Sequence, residues 1–203
     1  PSIASAETVV LGASRDNTIF SESGSLSNGA GTFLFVGKTR GRDATDLRRA
    51  LVQFDLSSIP AGATIQSATL GLTKDRGSSA TVSVHRLQTD WGEAGSNAGS
   101  PGGKGAAAQP GDATWTENRF GQSSWNSPGG DFAGASDSTS GSGLYEWQGS
   151  GIVNDVVAWL GGVNPNYGWI LLGDENSSGS AQRFSGASLT LEFTTDMSPP
   201  VRE

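Results

Sequence analysis

The stretch RRALVQFDLSSIPAGATIQSATLGL, residues 48–72, contains two apolar runs joined by a short turn. In each run the apolar residues occupy alternate positions, which are Ala50, Val52 and Phe54 in the first and Ala68, Leu70 and Leu72 in the second. A period of two is typical of a β-strand that places one face in a core. The intervening SSIPAG segment combines proline and glycine, which favour tight turns. This stretch therefore predicts two strands packed against one core.

Short runs of the same kind recur along the chain, and glycine, asparagine, aspartate or serine bounds each of them. Besides 50–56 and 67–73, the predicted strands are residues 7–12, 18–21, 32–37, 81–87, 168–173 and 187–194. Many short strands at such spacing indicate a two-layer β architecture. We predict an all-β fold, a jelly-roll-like β-sandwich.

One segment has a helical rather than a strand period. In GSGIVNDVVAWLGG the apolar positions are Ile152, Val153, Val156, Val157 and Leu160, which form one face of a helix. Ser150 is the expected N-cap, and Gly161-Gly162 is the expected end. The sequence therefore predicts one short helix.

The chain has 203 residues, a length that one all-β domain can account for. We assign residues 7–195 to that domain and 196–203 to a C-terminal linker. Residues 1–6 are either the tail of a signal peptide or an N-terminal extension, because Ala4-Ser5-Ala6 fits the small-x-small pattern before a signal-peptidase cut. We expect a secreted protein, extracellular or at the cell surface.

The formal net charge of −7 argues against nucleic acid as a partner, since phosphate backbones are bound by clusters of Lys and Arg. No apolar run is long enough for a membrane span, so we expect no membrane insertion. Arg48 and Arg49 are adjacent, and with their acidic neighbours they are expected in a solvated loop. Cysteine is absent, so in a secreted protein the core or bound ions would supply stability.

Residues 89–149, called the insertion below, show little apolar periodicity, and 96–111 and 135–143 are predicted to be flexible loops. The insertion nevertheless contains Trp91, Trp115, Trp125 and Tyr145, whose rings could stack on a sugar. Arg86, Arg119 and Glu93 are the predicted polar partners of that sugar. The alternative is that the rings anchor the insertion to the sandwich. Trp159 and Trp169 are predicted to lie in the core.

Asp16, Asn17, Asp174 and Glu175 follow or precede predicted strands and could supply oxygen ligands to calcium. These residues also suit turns in which the side chain bonds to its own backbone, and this alternative stays open.

Catalysis finds little support in the sequence. The single histidine, His85, alternates with Val82 and Val84 and is expected to point outward. No cysteine nucleophile and no Gly-x-Ser-x-Gly elbow is present. Asp90 and Glu93 could form an acid–base pair of the kind that cleaves glycosides, but we expect a protein that is not an enzyme.

The stretch at 48–72 resembles the strand–turn–strand signature of the DNRLRE domain, a β-sandwich family of secreted bacterial and archaeal proteins. Further segments resemble the same family in the same order, namely SVHRLQTDWGE, GDATWTENRFG, WNSPGGDF, VNDVVAWLGG, NYGWILLGDE and SAQRFSG. The wider family includes carbohydrate-binding module family 96, associated with polysaccharides such as alginate, and proteins anchored to cell surfaces. The resemblance implies a jelly-roll-like sandwich and an extracellular, non-catalytic role. The segment SGASLTLEF is shorter than its counterpart in the family.

Three functions follow as hypotheses. The first is a non-catalytic module that binds a polysaccharide or cell-surface glycan. The second is a structural or adhesive surface protein whose copies assemble into a filament through exposed edge strands. The third is a polysaccharide lyase or hydrolase.

Overall fold

A computed structural model describes residues 3–40 and 46–197. They form twelve strands and one helix in the following order. The strands are β1 (Ile3–Gly12), β2 (Arg15–Phe20), β3 (Leu26–Ser27), β4 (Leu34–Lys38), β5 (Leu47–Gln53), β6 (Thr64–Gly77), β7 (Val82–Leu87), β8 (Ala106–Ala107), β9 (Phe132–Thr139), β10 (Leu144–Trp147), β11 (Trp169–Leu172) and β12 (Gln182–Met197). The helix, α1, is Ser150–Leu160, between β10 and β11.

The strands form two antiparallel layers. In the first sheet β12 pairs with β6 on one side, and with β4 and then β1 on the other, while β10 pairs with β6. The second sheet has the order β2-β5-β11-β7-β9. Strand β4 links the layers because it also pairs with the start of β5, at Gly37↔Arg48. The predicted all-β, sandwich-like class is confirmed.

The space between the layers is filled by the alternating residues that the sequence pointed to. Val52 and Phe54 meet Leu70 and Leu72 there, and all four side chains are fully or almost fully buried. Trp159 of α1 packs against Trp169 of β11 with the rings inclined at 58° and 4.5 Å between their centroids. The prediction that these two tryptophans belong to the core is confirmed.

The outer face of the second sheet is also buried. Leu51 and Ile170 lie between residues that face the main core, so their side chains point the other way. They form a second cluster, the outer core, in which Trp91 and Trp125 come from the insertion. Strands covered on both faces have continuous apolar runs, which explains ALV in β5 and WILL in β11.

Buried polar groups hold the first part of the insertion in its conformation. The carboxylate of Asp112 is fully buried and accepts hydrogen bonds from the backbone N–H groups of Ala94 (2.7 Å) and Gln109 (2.8 Å). The two-stranded ladder of β3 and β8 ties the same segment to the loop after β2. Residues 96–111, for which the sequence predicts a flexible loop, include β8 and also Gln109, whose backbone N–H donates to the Asp112 carboxylate.

Several other local predictions need correction. Strand β9 runs through 135–139, part of the second predicted loop, and β10 was not predicted. Gly149, not Ser150, is the N-cap of α1, and it makes no side-chain capping bond. Arg48 and Arg49 lie in β5 rather than a solvated loop, and Arg48 is only 4% exposed.

The outer ends of the predicted domain also differ. Residues 3–6 are part of β1, and residues 196–197 complete β12, so both strands extend past the predicted bounds of 7–195. The rest of the predicted linker, 198–203, lies outside the described residues. Within the described ranges no helix is long and apolar enough to cross a membrane.

We predict that Leu51→Ala lowers the free energy of unfolding by about 2–5 kcal/mol, as expected for a buried leucine. A strand with a solvated outer face would tolerate this change. The matched control is Leu144→Ala, because Leu144 is 59% exposed and its loss should change stability by about 0.5 kcal/mol or less. Urea unfolding followed by tryptophan fluorescence measures both variants. Equally small losses of stability in the two variants would contradict the burial of Leu51 in the outer core.

Candidate functional site

Two of the predicted stacking residues have no free ring face. Trp91 is fully buried, and its indole N–H donates to the carbonyl of Tyr167 at 2.8 Å. Trp125 is 5% exposed, and its N–H donates to the carbonyl of Thr114 at 2.8 Å. The expectation that these rings face solvent is wrong, because the outer face of the second sheet requires apolar cover. They are the anchors that the alternative interpretation described.

The rings of Trp115 and Tyr145 are also covered by other residues of the protein. The guanidinium of Arg49 lies over the Trp115 ring, 4.7 Å from its centroid. Tyr145 is 1% exposed, packs edge-on against Phe184, and donates its hydroxyl to the backbone carbonyl of Gly141 at 2.8 Å. Tyr145 is therefore a core residue, and the prediction that it stacks on a ligand is wrong. Trp115 is half-buried beneath an arginine.

The predicted polar partners are engaged in separate pairs. Arg86 lies 3.2 Å from the carboxylate of Asp155, a residue of α1. Arg119 binds Asp90 at 2.6 Å, and Arg15 binds the other oxygen of Asp90 at 2.8 Å. Glu93 accepts a hydrogen bond from the backbone N–H of Asp16 at 2.7 Å. The structure therefore does not bring Arg86, Arg119 and Glu93 together around one exposed ring.

Asn17, a predicted calcium ligand, is a structural residue. It is fully buried, and its side-chain oxygen accepts bonds from the Ser27 hydroxyl (2.9 Å) and the Asn28 backbone (3.0 Å). Its amide nitrogen donates to the carbonyls of Gly92 and Ala113. All these bonds join β2 to the insertion, so the prediction that Asn17 binds calcium is wrong.

The other predicted calcium ligands are apart. Asp16 lies beside Val52 of β5, whereas Glu175 binds Arg49 further along that strand at 2.7 and 2.9 Å. Asp174 accepts bonds from the backbone of Asn176 and Ser177, as the turn interpretation proposed. In the described part of the chain no group of three or more His, Cys, Asp or Glu residues could hold a metal ion.

Asp16 and Glu93 form a pair of neighbouring carboxylates. Burial, and then repulsion from Glu93, raises the pKa of Asp16 to about 6. The pKa of Glu93 is raised as well, first by partial burial. Asp90 behaves differently, because hydrogen bonds from Arg119 and Arg15 outweigh burial and lower its pKa.

His85 points away from the main core, as the sequence predicts, because Val82 and Val84 face that core, and its ring is half-buried. Its ring lies edge-on to Phe132 at 5.1 Å, and its two nitrogens are within 3.0 Å of the Ala133 carbonyl and 2.9 Å of the Ser83 hydroxyl. Nδ1 therefore joins β7 to β9, whereas Nε2 bonds to a side chain of β7 itself.

A different part of the surface concentrates positive charge. Strands β4, β12 and β6 lie side by side, and their registers align Phe35 with Arg183 and Arg183 with Arg76. Leu34, Val36 and Phe184 face the main core, so this row lies on the opposite, outer face of the first sheet. Arg48 of β5 approaches the same place through the Gly37↔Arg48 pair.

Part of the insertion completes the wall of this surface. Gly103 lies so close to Phe35 that an added Cβ would be 3.3 Å from its ring, and the Gly103 carbonyl accepts a bond from Arg48 at 3.1 Å. The result is a pocket of about 230 Å³, called the basic pocket below. Its lining includes four cationic residues and an aromatic floor, which are Arg48, Arg76, Lys104, Arg183 and Phe35. A second depression of about 330 Å³ shares Pro101, Gly103 and Lys104 with it.

The four cations differ in how free they are. Arg48 is buried and binds Glu22, and Arg183 binds both oxygens of Asp75, which lowers the pKa of Asp75. Arg76 and Lys104 are exposed, and neither forms an ion pair with any residue in 3–40 or 46–197. The pocket therefore has two fixed cations in its wall and two available ones at its rim.

Such a pocket can bind a carboxylate or sulfate group. A guanidinium pairs with these groups through two parallel hydrogen bonds, and lysine adds a point charge.

Sequence reasoning missed this site because its residues come from five distant segments and none belongs to a recognisable motif. The available signal was weak, consisting of arginines at outward positions of strands whose pairing was unknown.

The chain matches no protein-family model, and a search of curated proteins gave no match either. The resemblance to the DNRLRE domain therefore stays a prediction.

We predict that Asp16→Asn stabilises the protein at neutral pH. A carboxyl whose folded pKa is raised holds its proton more tightly in the folded state, so its contribution to stability is greatest below about pH 4 and falls as the pH rises to about 6. Above that range, the rise of the Asp16 pKa to about 6 corresponds to a loss of at most ~3 kcal/mol in the free energy of unfolding. Urea unfolding at several pH values should show the wild-type slope disappear in the variant.

Asp174→Asn is the control for this measurement. Hydrogen bonds from Ser177 lower the pKa of Asp174, so its contribution to stability has the opposite pH dependence and is lost as the pH falls. A variant at Asp16 that lost stability at pH 7 would contradict the raised pKa that burial and repulsion from Glu93 give this carboxyl.

Proposed function

We propose that this chain is a non-catalytic binding module for acidic polysaccharides, and that it engages them through the basic pocket. The observation that carries the proposal is the row Phe35, Arg183 and Arg76 on three adjacent strands, with Lys104 facing it from the insertion. Uronic or sulfated sugars offer planar carboxylates or tetrahedral sulfates to the guanidinium groups and C–H-rich faces to the aromatic floor.

The charge of the whole molecule makes this local cluster informative. A protein of net charge −7 repels a polyanion at a distance, so binding must depend on close contact with the pocket. Arg76 and Lys104 have no carboxylate partner among the described residues, so an anionic group gains more from them than a neutral hydroxyl does. These charges therefore favour an acidic ligand over a neutral one.

The proposed resemblance to the DNRLRE domain agrees with this function, since that family includes modules associated with alginate. It also supports the proposal of an extracellular or cell-surface location. The stacking residues differ from those predicted, because the basic pocket uses Phe35 where the sequence suggested Trp91, Trp115, Trp125 and Tyr145.

The rival hypothesis of a lyase or hydrolase is less well supported. It relied on Asp90 and Glu93, and two arginines clamp Asp90 in its ionised form, which is unsuited to donating a proton. We therefore retain a binding role rather than a catalytic one as the proposal.

Affinity electrophoresis in gels containing a polyuronate, a sulfated polysaccharide or a neutral glucan tests the proposal. We expect retardation by the acidic polymers, and we expect the double variant Arg76→Gln, Lys104→Gln to weaken binding at least tenfold, because each charged hydrogen bond contributes roughly 1.5–3 kcal/mol. Running the gels with and without calcium tests the predicted role of that ion as well.

Arg119→Gln is the matched control, because it also removes positive charge but lies at the Asp90 pair, outside the pocket lining. It should leave affinity nearly unchanged. Retardation lost in Arg119→Gln and kept in the double variant would place the site at the residues predicted from sequence. Absence of retardation by every acidic polymer would refute the proposed function.

A further inference from the structure

Strand β1 has a second edge that meets no other described strand. Its register with β12 is continuous from Ile3↔Met197 to Gly12↔Ser188. The N–H of Ala13 donates to the carbonyl of Ala187 in the same register, at 3.3 Å, which makes that pair a hydrogen-bonded one. Because such pairs alternate along an antiparallel ladder, the odd-numbered residues of β1 bond to β12. The residues whose backbone groups point away from β12 are Ala4, Ala6, Thr8, Val10 and Gly12.

Three other sheet edges are protected. On β2 the outward N–H groups of Asp16 and Thr18 donate to the side chains of Glu93 and Asn17, both at 2.7 Å. On β9 the pairing with β7 is bulged, and α1 packs against the strand. Strand β10 has only four residues and lies beside β9. In residues 3–40 and 46–197, the edge of β1 that faces away from β12 is long and lacks these forms of protection.

The sequence of β1 also lacks the features that prevent strand addition. Proteins discourage it with lysine, proline, bulges or short edge strands. Strand β1 has ten residues, no bulge, no proline and no basic residue, and its single charge is Glu7. Val10 is 66% exposed on its outer face.

We propose that this edge is an interaction surface whose partner is β1 of a second copy, paired antiparallel about a two-fold axis. The axis passes beside Thr8, so that Thr8 of each copy is opposite Thr8 of the other. Val10 is then opposite Ala6, and Gly12 opposite Ala4, which joins all the outward backbone groups in hydrogen-bonded pairs. The first sheets of the two copies become one continuous sheet.

Charge selects this register over the one centred on Glu7. That register would place Glu7 of one copy directly opposite Glu7 of the other, and like charges directly opposite destabilise a pair. A register centred on Val9 would leave Ala4 without a partner in β1 of the second copy. With the axis at Thr8, Glu7 is opposite Val9. The pairing is isologous, so it closes as a dimer and does not propagate into a fibre.

Salt separates this inference from the proposed function. Two copies of charge −7 repel each other, so added salt should strengthen dimerisation, whereas it should weaken binding of an acidic polymer in the basic pocket. The dimer does not depend on the pocket, and either proposal can fail alone.

Single-cysteine variants test the register directly, because the chain has no cysteine of its own. Residues in a hydrogen-bonded antiparallel pair have Cα atoms about 5.5 Å apart, within the range of a disulfide. Thr8→Cys should therefore cross-link rapidly with itself under mild oxidation. Val10→Cys, on the same exposed face, should cross-link far more slowly because its opposite residue is Ala6. Equal rates in the two variants would overturn the register.

A charge-swap experiment tests the dimer in solution by sedimentation velocity at high salt and low salt. Thr8→Glu and Thr8→Lys each place like charges across the axis, so each variant alone should shift toward monomer. An equimolar mixture should recover the dimer, because unlike charges then face each other. A wild-type chain that stays monomeric at every concentration, or a mixture that stays monomeric, would overturn the proposal. Circular dichroism of each variant confirms that the fold is kept.

Discussion

The second sheet must be covered on both faces, and most of the molecule follows from this requirement. Leu51 and Ile170 would lie in water if the outer face were open, although both strands are central. The insertion supplies the cover with Trp91 and Trp125, whose indole N–H groups find backbone acceptors. A segment that is rich in glycine and polar residues can do this because a few large rings bury much apolar area. The fully buried Asn17 and Asp112 then fix its backbone without disulfides.

The same cover shapes the surface on which the proposed function rests. By returning across β4, the insertion places Gly103 against Phe35 and sets Lys104 opposite the arginines of β6 and β12. The tryptophans and the basic pocket are thus two parts of one arrangement. The rings hold the insertion down, and its glycine-rich tip forms the wall of a charged depression. A residue larger than glycine at position 103 would press on the floor of that depression.

How much the sequence could predict depended on the range of the interactions. Val52, Phe54, Leu70 and Leu72 follow a local period, so their strands and the single helix could be predicted. Strand β9, FAGASDST, has no apolar alternation because its neighbours and α1 decide its placement. The polar residues around Trp91 suggested an exposed ring. An indole in a polar loop is nevertheless buried when one face of that loop packs against the sheet. The basic pocket depends on the registers of β4, β12 and β6, which no local pattern encodes.

The pairing of Ile3 with Met197 determines how the fold responds to force. Tension applied through these two residues acts on the first rung of the β1–β12 ladder, so the rungs break one after another instead of sharing the load. Strand β1 would peel away at low tension, since Val9 and Leu11 are only partly buried. The remaining layers keep β12 paired with β6 and β4. Strand β1 is therefore mechanically weak, and the rest of the described structure stays folded while β1 is pulled away.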